Sequence, residues 1–193
     1  MNNELQFGIQ TNGIKHTHLD PMPDIDHRFS MVKEAKVFDY VDKTPEQDEI
    51  ISFLKAKDKY QIPIKAGGWF YTVGEHKNLL KKNLLTAQNL GSTVHNTQIQ
   101  AINSEGNLVT NLEVRDVYLE AYDMGLKLGV TPCFEVHVNM WSEDFLRVTE
   151  VGNLVEEKGV EFNITLDHSH VIFKINNPKE QKIYNIEEKI LAG

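Results

Sequence analysis

The chain contains three joins of one kind: "NLGSTVHNT" at residues 89–97, "KLGVTPCFEVH" at 127–137 and "EKGVEFNITLD" at 157–167. Each runs from a helix-like segment through a glycine into a strand-like run that ends on polar residues. Gly91, Gly129 and Gly159 suit the left-handed residue that closes a helix, because glycine has no Cβ to clash there. A helix–glycine–strand join used in series is a βα repeat, and βα repeats build a parallel sheet. Right-handed crossovers then leave an open doubly wound sheet or a closed barrel.

The same alternation extends outward in both directions. "LQFGIQTN", "VFDYVDKT" and "IPIKAGGWFY" read as strands one to three, and "STVHNTQIQ", "TPCFEVHVN" and "VEFNITLDHSHV" as strands four to six. "DHRFSMVKEA" reads as a short helix. A second helix is predicted over "PEQDEIISFLKAKDKY", with Thr44 as cap and Pro45 in the first turn, where a missing N–H costs nothing. Leu80, Leu84 and Leu85 recur at helical spacing in the third helix. Ser142 is the expected cap of the helix "SEDFLRVTEVGNLVEEKG". "GIQTNGIKH" after strand one lacks the spacing of a dinucleotide phosphate loop, which weakens the Rossmann alternative. The expected architecture is α/β, a (β/α) TIM-type barrel with about six of the eight βα units. Residues 1–193 are expected to form a single partial domain, with "IFKINNPKEQKIYNIEEKILAG" as a closing loop and helix.

Composition agrees with a soluble globular chain: 40% hydrophobic and 25% charged residues over 193 positions. A net charge of −8 and no basic run beyond Lys81-Lys82 argue against a nucleic-acid partner. The single Cys133 cannot form an internal disulfide, and no apolar run approaches membrane-spanning length. The start "MNNELQFGIQ" lacks the regions of a secretory signal, so a cytoplasmic setting is expected, with no membrane partner.

Functional residues gather late in the strands. Alternation puts Cys133, Glu135 and His137 on one face of strand five, opposite Phe134 and Val136. Asn163, Thr165 and Asp167 share a face of strand six, and "TLDHSHVIF" adds His168 and His170. His95, with Asn96 and Gln98, is assigned the same late position in strand four. In parallel α/β folds the site lies at the carboxyl ends of the strands, so these residues converge on one mouth. Carboxylates and imidazoles meeting there form a candidate divalent-cation site, with nitrogen donors favouring Mn, Co or Zn over an all-oxygen Mg site. A carboxylate beside such an ion can remove a proton from carbon next to a carbonyl. His137, His170 and His95 are candidate substrate contacts, Trp69 in "GGWFY" is a candidate aromatic wall, and His16, His18, His27 and His76 read as loop or surface residues. His168 is expected behind the ligands rather than among them.

Glu135 at the end of strand five, followed by Asp167-x-x-His170 at the end of strand six, resembles the xylose isomerase-like TIM-barrel superfamily of sugar isomerases, epimerases and endonuclease IV-like enzymes. The resemblance implies Glu135 as metal ligand and proton-transferring base, and Asp167 as a second ligand. It implies His170 as a catalytic or substrate contact, or as a ligand in nuclease-type members, and matches His95 to a ligand of the nuclease branch. His137 stands where xylose isomerases carry lysine. The implied function is a divalent-metal-dependent isomerase or epimerase acting on a sugar or polyol, with Mn, Co, Zn or Mg as cofactor. Rivals are an endonuclease IV-like phosphodiesterase and a non-catalytic sugar-binding or partial-barrel subunit. The family also takes a histidine from strand seven and a glutamate from strand eight, which are not found here. That favours a fragment of a longer enzyme, over a second chain or homo-oligomer completing the barrel and over loss of the last units with the activity.

Overall fold

The computed structural model describes residues 5–16 and 23–170. His18 and the expected closing loop and helix lie outside the described residues. The described chain alternates strands and helices in the order β1 (Gly8–Gln10), α1 (Ile25–Ala35), β2 (Tyr40–Asp42), α2 (Ile50–Tyr60), β3 (Ile64–Ala66), β4 (Gly68–Tyr71), α3 (His76–Leu90), β5 (Val94–Ile99), α4 (Asn111–Leu128), β6 (Thr131–Val136), α5 (Phe145–Glu156) and β7 (Ile164–Leu166). Every strand pairing is parallel, in the orders β1-β2-β3 and β4-β5-β6-β7. The two sheets are joined through the main chain. Lys65 carbonyl accepts from Thr93 N–H at 3.1 Å and Gly67 carbonyl from Asn96 N–H at 2.6 Å. β3 and β4 are therefore the two halves of the expected third strand, and the sheet follows sequence order as a barrel does. Among the described residues, six of a barrel's eight strands are present in this sense.

Gly67 is where that strand breaks. A Cβ there would lie 2.4 Å from Thr44 Oγ1 and 2.7 Å from Thr44 N, so only glycine lets the chain cross the end of β2. The same contact explains a correction. Thr44 is buried rather than capping a helix, and a turn closed by Glu49 N–H on Glu46 carbonyl intervenes before α2 begins at Ile50. Ser142 likewise does not cap α5; Asp144 does, accepting from Leu146 N–H. Gly91, Gly129 and Gly159 all take the left-handed conformation, with φ of 82°, 69° and 74°.

Apolar faces of the strands turn outward under the helices. Leu80, Leu84, Val114, Val117, Tyr118, Phe134, Val136 and Val151 fill one cluster; Phe29, Val32, Val41, Phe53 and Ile64 fill the other. Tyr118 anchors β7 to this core: its ring packs on Phe134 and Phe162, and its hydroxyl donates to Glu161 carbonyl at 2.7 Å. The opposite faces carry polar side chains toward the barrel axis, where Thr165 hydroxyl donates to Asn96 Oδ1. No helix among the described residues is long and apolar enough to cross a membrane.

Candidate metal centre

At the carboxyl ends of the strands a cavity of about 490 Å³ opens, lined by residues of β1, β2, β4, β5 and β6 and by Asp167 and His170 just after β7. Glu135, His137, Asp167, His170 and Trp69, each singled out in the sequence, line it. One donor atom from each of Glu135, His137 and His170 lies within 4.8 Å of the other two. Two neighbouring strand ends thus present one carboxylate and two imidazoles to a common point.

Each member is held by identifiable contacts. Glu135 Oε2 accepts from Gln98 Nε2 at 2.6 Å, across the β5–β6 pairing. Burial pushes the Glu135 carboxyl above its ordinary range; His137 and the Gln98 hydrogen bond pull it back, while Asp167 and Asp42 push it further up. His137 Nδ1 lies 2.7 Å from Val138 carbonyl. A carbonyl only accepts, so Nδ1 carries a proton and Nε2 is the ring nitrogen left to serve as a ligand atom. The His137 and His170 rings sit with centroids 3.8 Å apart, and Phe70 meets His137 edge-on at 5.9 Å.

Asp167 plays a different part from Glu135. Its Oδ1 accepts from Ser169 N–H at 2.8 Å, Ser169 hydroxyl at 2.6 Å and His170 N–H at 3.3 Å. Its Oδ2 lies 3.5 Å from His170 Nε2. Partial burial works to raise its pKa, but the Ser169 and His170 donors and the His170 ring outweigh it and hold the carboxyl below its ordinary range. Asp167 therefore stays ionised and fixes the turn that aims His170, and it stands outside the three-donor cluster. His168 is exposed.

His95 departs from expectation. It is fully buried on the helix side of β5, its Nε2 2.7 Å from Tyr71 hydroxyl, which also accepts from Asn83 Nδ2. Adjacent residues of a strand face opposite ways; Asn96 and Gln98 line the cavity, so His95 cannot. Burial lowers its pKa to about 4, which keeps the ring neutral. Its assignment as a substrate or metal contact is thereby corrected. On the far wall the cavity gains Gln10, Asp42 and Lys43, which the sequence reading passed over. Asp42 ends β2 at a register shift, and burial raises its pKa against the pull of Lys43.

No family model matches the sequence, and no curated protein matches it either. Solved structures do match the fold. A D-allulose 3-epimerase from Methylomonas sp., in complex with D-allulose, superposes with a TM-score of 0.68 at 13% identity, over 90% of this chain and 66% of the epimerase. The IOLI protein with a bound zinc atom matches at 0.67 and 13% identity, over 92% and 68% of the two chains. A probable 3-DHS dehydratase, AsbF, from Bacillus anthracis matches at 0.66 and 10% identity, over 94% and 70%.

The fold is that of a (β/α) TIM-type barrel.

The chain spans about two thirds of the length of these barrels, as expected for six strands of eight. An AP endonuclease of family 2 from Brucella melitensis shares the same barrel, with a TM-score of 0.60 at 11% identity.

Proposed function

We propose that this partial barrel belongs to a divalent-metal-dependent isomerase or epimerase that moves a proton next to the carbonyl of a sugar or polyol. The observation that carries this reading is the convergence of Glu135, His137 and His170 within 4.8 Å at the mouth. The donor set, one oxygen and two nitrogens, fits Zn, Co or Mn better than Mg, and Glu135, His137 and His170 would hold the ion. When bound, the ion supplies positive charge that polarises a carbonyl or hydroxyl oxygen.

The protein's own groups do the rest. Glu135 is half-buried and its carboxyl is raised above its ordinary range, which suits a base that takes a proton from carbon and returns it. Gln98 fixes the orientation of that carboxylate by holding one oxygen. Asp167 steadies the His170 ring, which faces the oxygens of a substrate in the cavity. Trp69 and Phe70 supply an apolar wall against which the carbon face of a sugar can lie. The neighbours' D-allulose and zinc support this reading at the level of substrate and cofactor class. The phosphodiesterase alternative rested on His95, which is buried away from the mouth and lends it no support.

The test is proton exchange. Incubated with Co²⁺ and ketoses such as D-allulose in D₂O, the protein should place deuterium on the carbon beside the carbonyl, read by NMR. Exchange that persists in Glu135→Gln would remove Glu135 from the mechanism, and no exchange with any ketose would count against the isomerase reading.

A further inference from the structure

Ser142 lies in the 3-10 turn Trp141–Glu143 that follows β6 and is 2% exposed. Its hydroxyl donates to Glu135 carbonyl at 2.6 Å and accepts from His137 N–H at 3.1 Å. A single oxygen therefore bridges the main chain on both sides of Val136. The residues on either side are the two whose side chains enter the donor cluster. The β6–β7 pairing ends at Val136–Leu166, so the ladder does not reach His137. The hydroxyl gives His137 N–H a partner where the ladder stops and prolongs the strand by one residue.

The turn that presents this hydroxyl is itself anchored. Trp141 is buried against Phe134, and its indole N–H donates to Asn111 Oδ1 at 3.3 Å. Arg147 donates to the same oxygen at 2.9 Å and to Val109 carbonyl, and its guanidinium lies over the Trp141 ring. Asn139, in the left-handed conformation at φ 61°, donates its N–H to the Glu143 carboxylate. Packing and hydrogen bonds fix the loop on both sides of Ser142 before any ligand arrives. That pre-organisation is what a coordination centre needs from the groups behind its ligands.

We infer that Ser142 is the positioning residue of the metal centre, its buried hydroxyl holding Glu135 and His137 on the pocket side of β6 in one geometry. The inference rests on the reading of Glu135, His137 and His170 as ligands. Ser142 touches neither ion nor substrate and acts through the main chain of the two residues that do.

The experiment measures Co²⁺ affinity and the visible Co²⁺ spectrum for the wild type, Ser142→Ala, Ser142→Thr and Thr86→Ala. Thr86 serves as control: it is a buried hydroxyl on α3, bonded to Lys82 carbonyl and outside the cavity lining. Ser142→Ala is expected to bind Co²⁺ about tenfold more weakly or worse, the scale of losses behind metal ligands, with altered bands. Ser142→Thr should restore both, and Thr86→Ala should lose stability while keeping wild-type affinity. Affinity within twofold of wild type in Ser142→Ala overturns the inference. Amide exchange of the wild type decides the matter even if Ser142→Ala fails to fold. His137 N–H should be protected, and exchange at the rate of an open loop refutes the bridge. If the wild type binds no Co²⁺, the metal reading fails by itself, and protection of His137 N–H still judges Ser142.

Discussion

The imidazoles of His137 and His170, 33 residues apart in sequence, lie with ring centroids 3.8 Å apart at the ends of β6 and β7. Two rings so close, each beside a carboxylate, are arranged to share a cation. A double-mutant cycle tests this. His137→Ala and His170→Ala should each weaken Zn²⁺ binding strongly, and the double variant should lose much less than the sum. Groups acting on one ion are coupled, whereas independent sites add. Additive losses by calorimetry would mean that the rings do not share an ion.

Gln98 offers a second test. Its amide donates to the Glu135 carboxylate at 2.6 Å, and it comes from the neighbouring strand. Gln98→Leu should lower exchange activity by roughly tenfold, the usual cost of losing a group that orients a ligand. Fold and melting temperature should change little, because Leu fills similar volume. Unchanged activity would show that Glu135 needs no such guide.

The buried His95 predicts an acid limb in stability. Its pKa falls from 6.5 to about 4 on burial, so the unfolded chain binds the proton more readily than the folded one. Stability from this residue is complete above the unfolded value and is lost as pH falls from about 6.5 to about 4. The full span is worth roughly 3 kcal/mol. Denaturant titrations should show His95→Gln with a flatter pH profile over that window. An equally steep profile in the variant would assign the acid sensitivity elsewhere.

Gly67→Ala should be destabilising, because its Cβ would lie 2.4 Å from Thr44 Oγ1 and 2.8 Å from Lys43 carbonyl carbon. The expected loss is about 1–3 kcal/mol, measured by urea unfolding. Because Thr44 and Lys43 line the cavity, substrate binding should suffer as well. An unaffected midpoint would mean that the β3–β4 crossing has slack.

The sequence made much of this legible because period-two alternation is strong in the later strands. Phe134 and Val136 are apolar while Cys133, Glu135 and His137 are not; the structure buries Phe134 and Val136 under the helices and turns Glu135 and His137 to the cavity. The glycines that end α3 and α4, and Gly159 after α5, were equally clear, since a helix stop followed by an apolar run has few other readings. His95 was misplaced on two counts: it is the second residue of β5 rather than a late one, and it alternates with Asn96 and Gln98, which take the cavity side. Asp42 was missed because β2 is three residues long, too short for a periodic signal; its place at the end of "VFDYVDKT" was the only hint. Ser142 was legible only as a generic cap. Its hydroxyl joins residues five and seven positions back, a tertiary contact that propensity does not encode.

Metal content tests the central claim most directly. The purified protein, dialysed against metal-free buffer, is analysed by mass spectrometry beside Glu135→Ala. The account predicts close to one equivalent of Zn, Co or Mn in the wild type, lost from Glu135→Ala while the fold persists. A folded wild type without any ion, or an ion retained in Glu135→Ala, would contradict it.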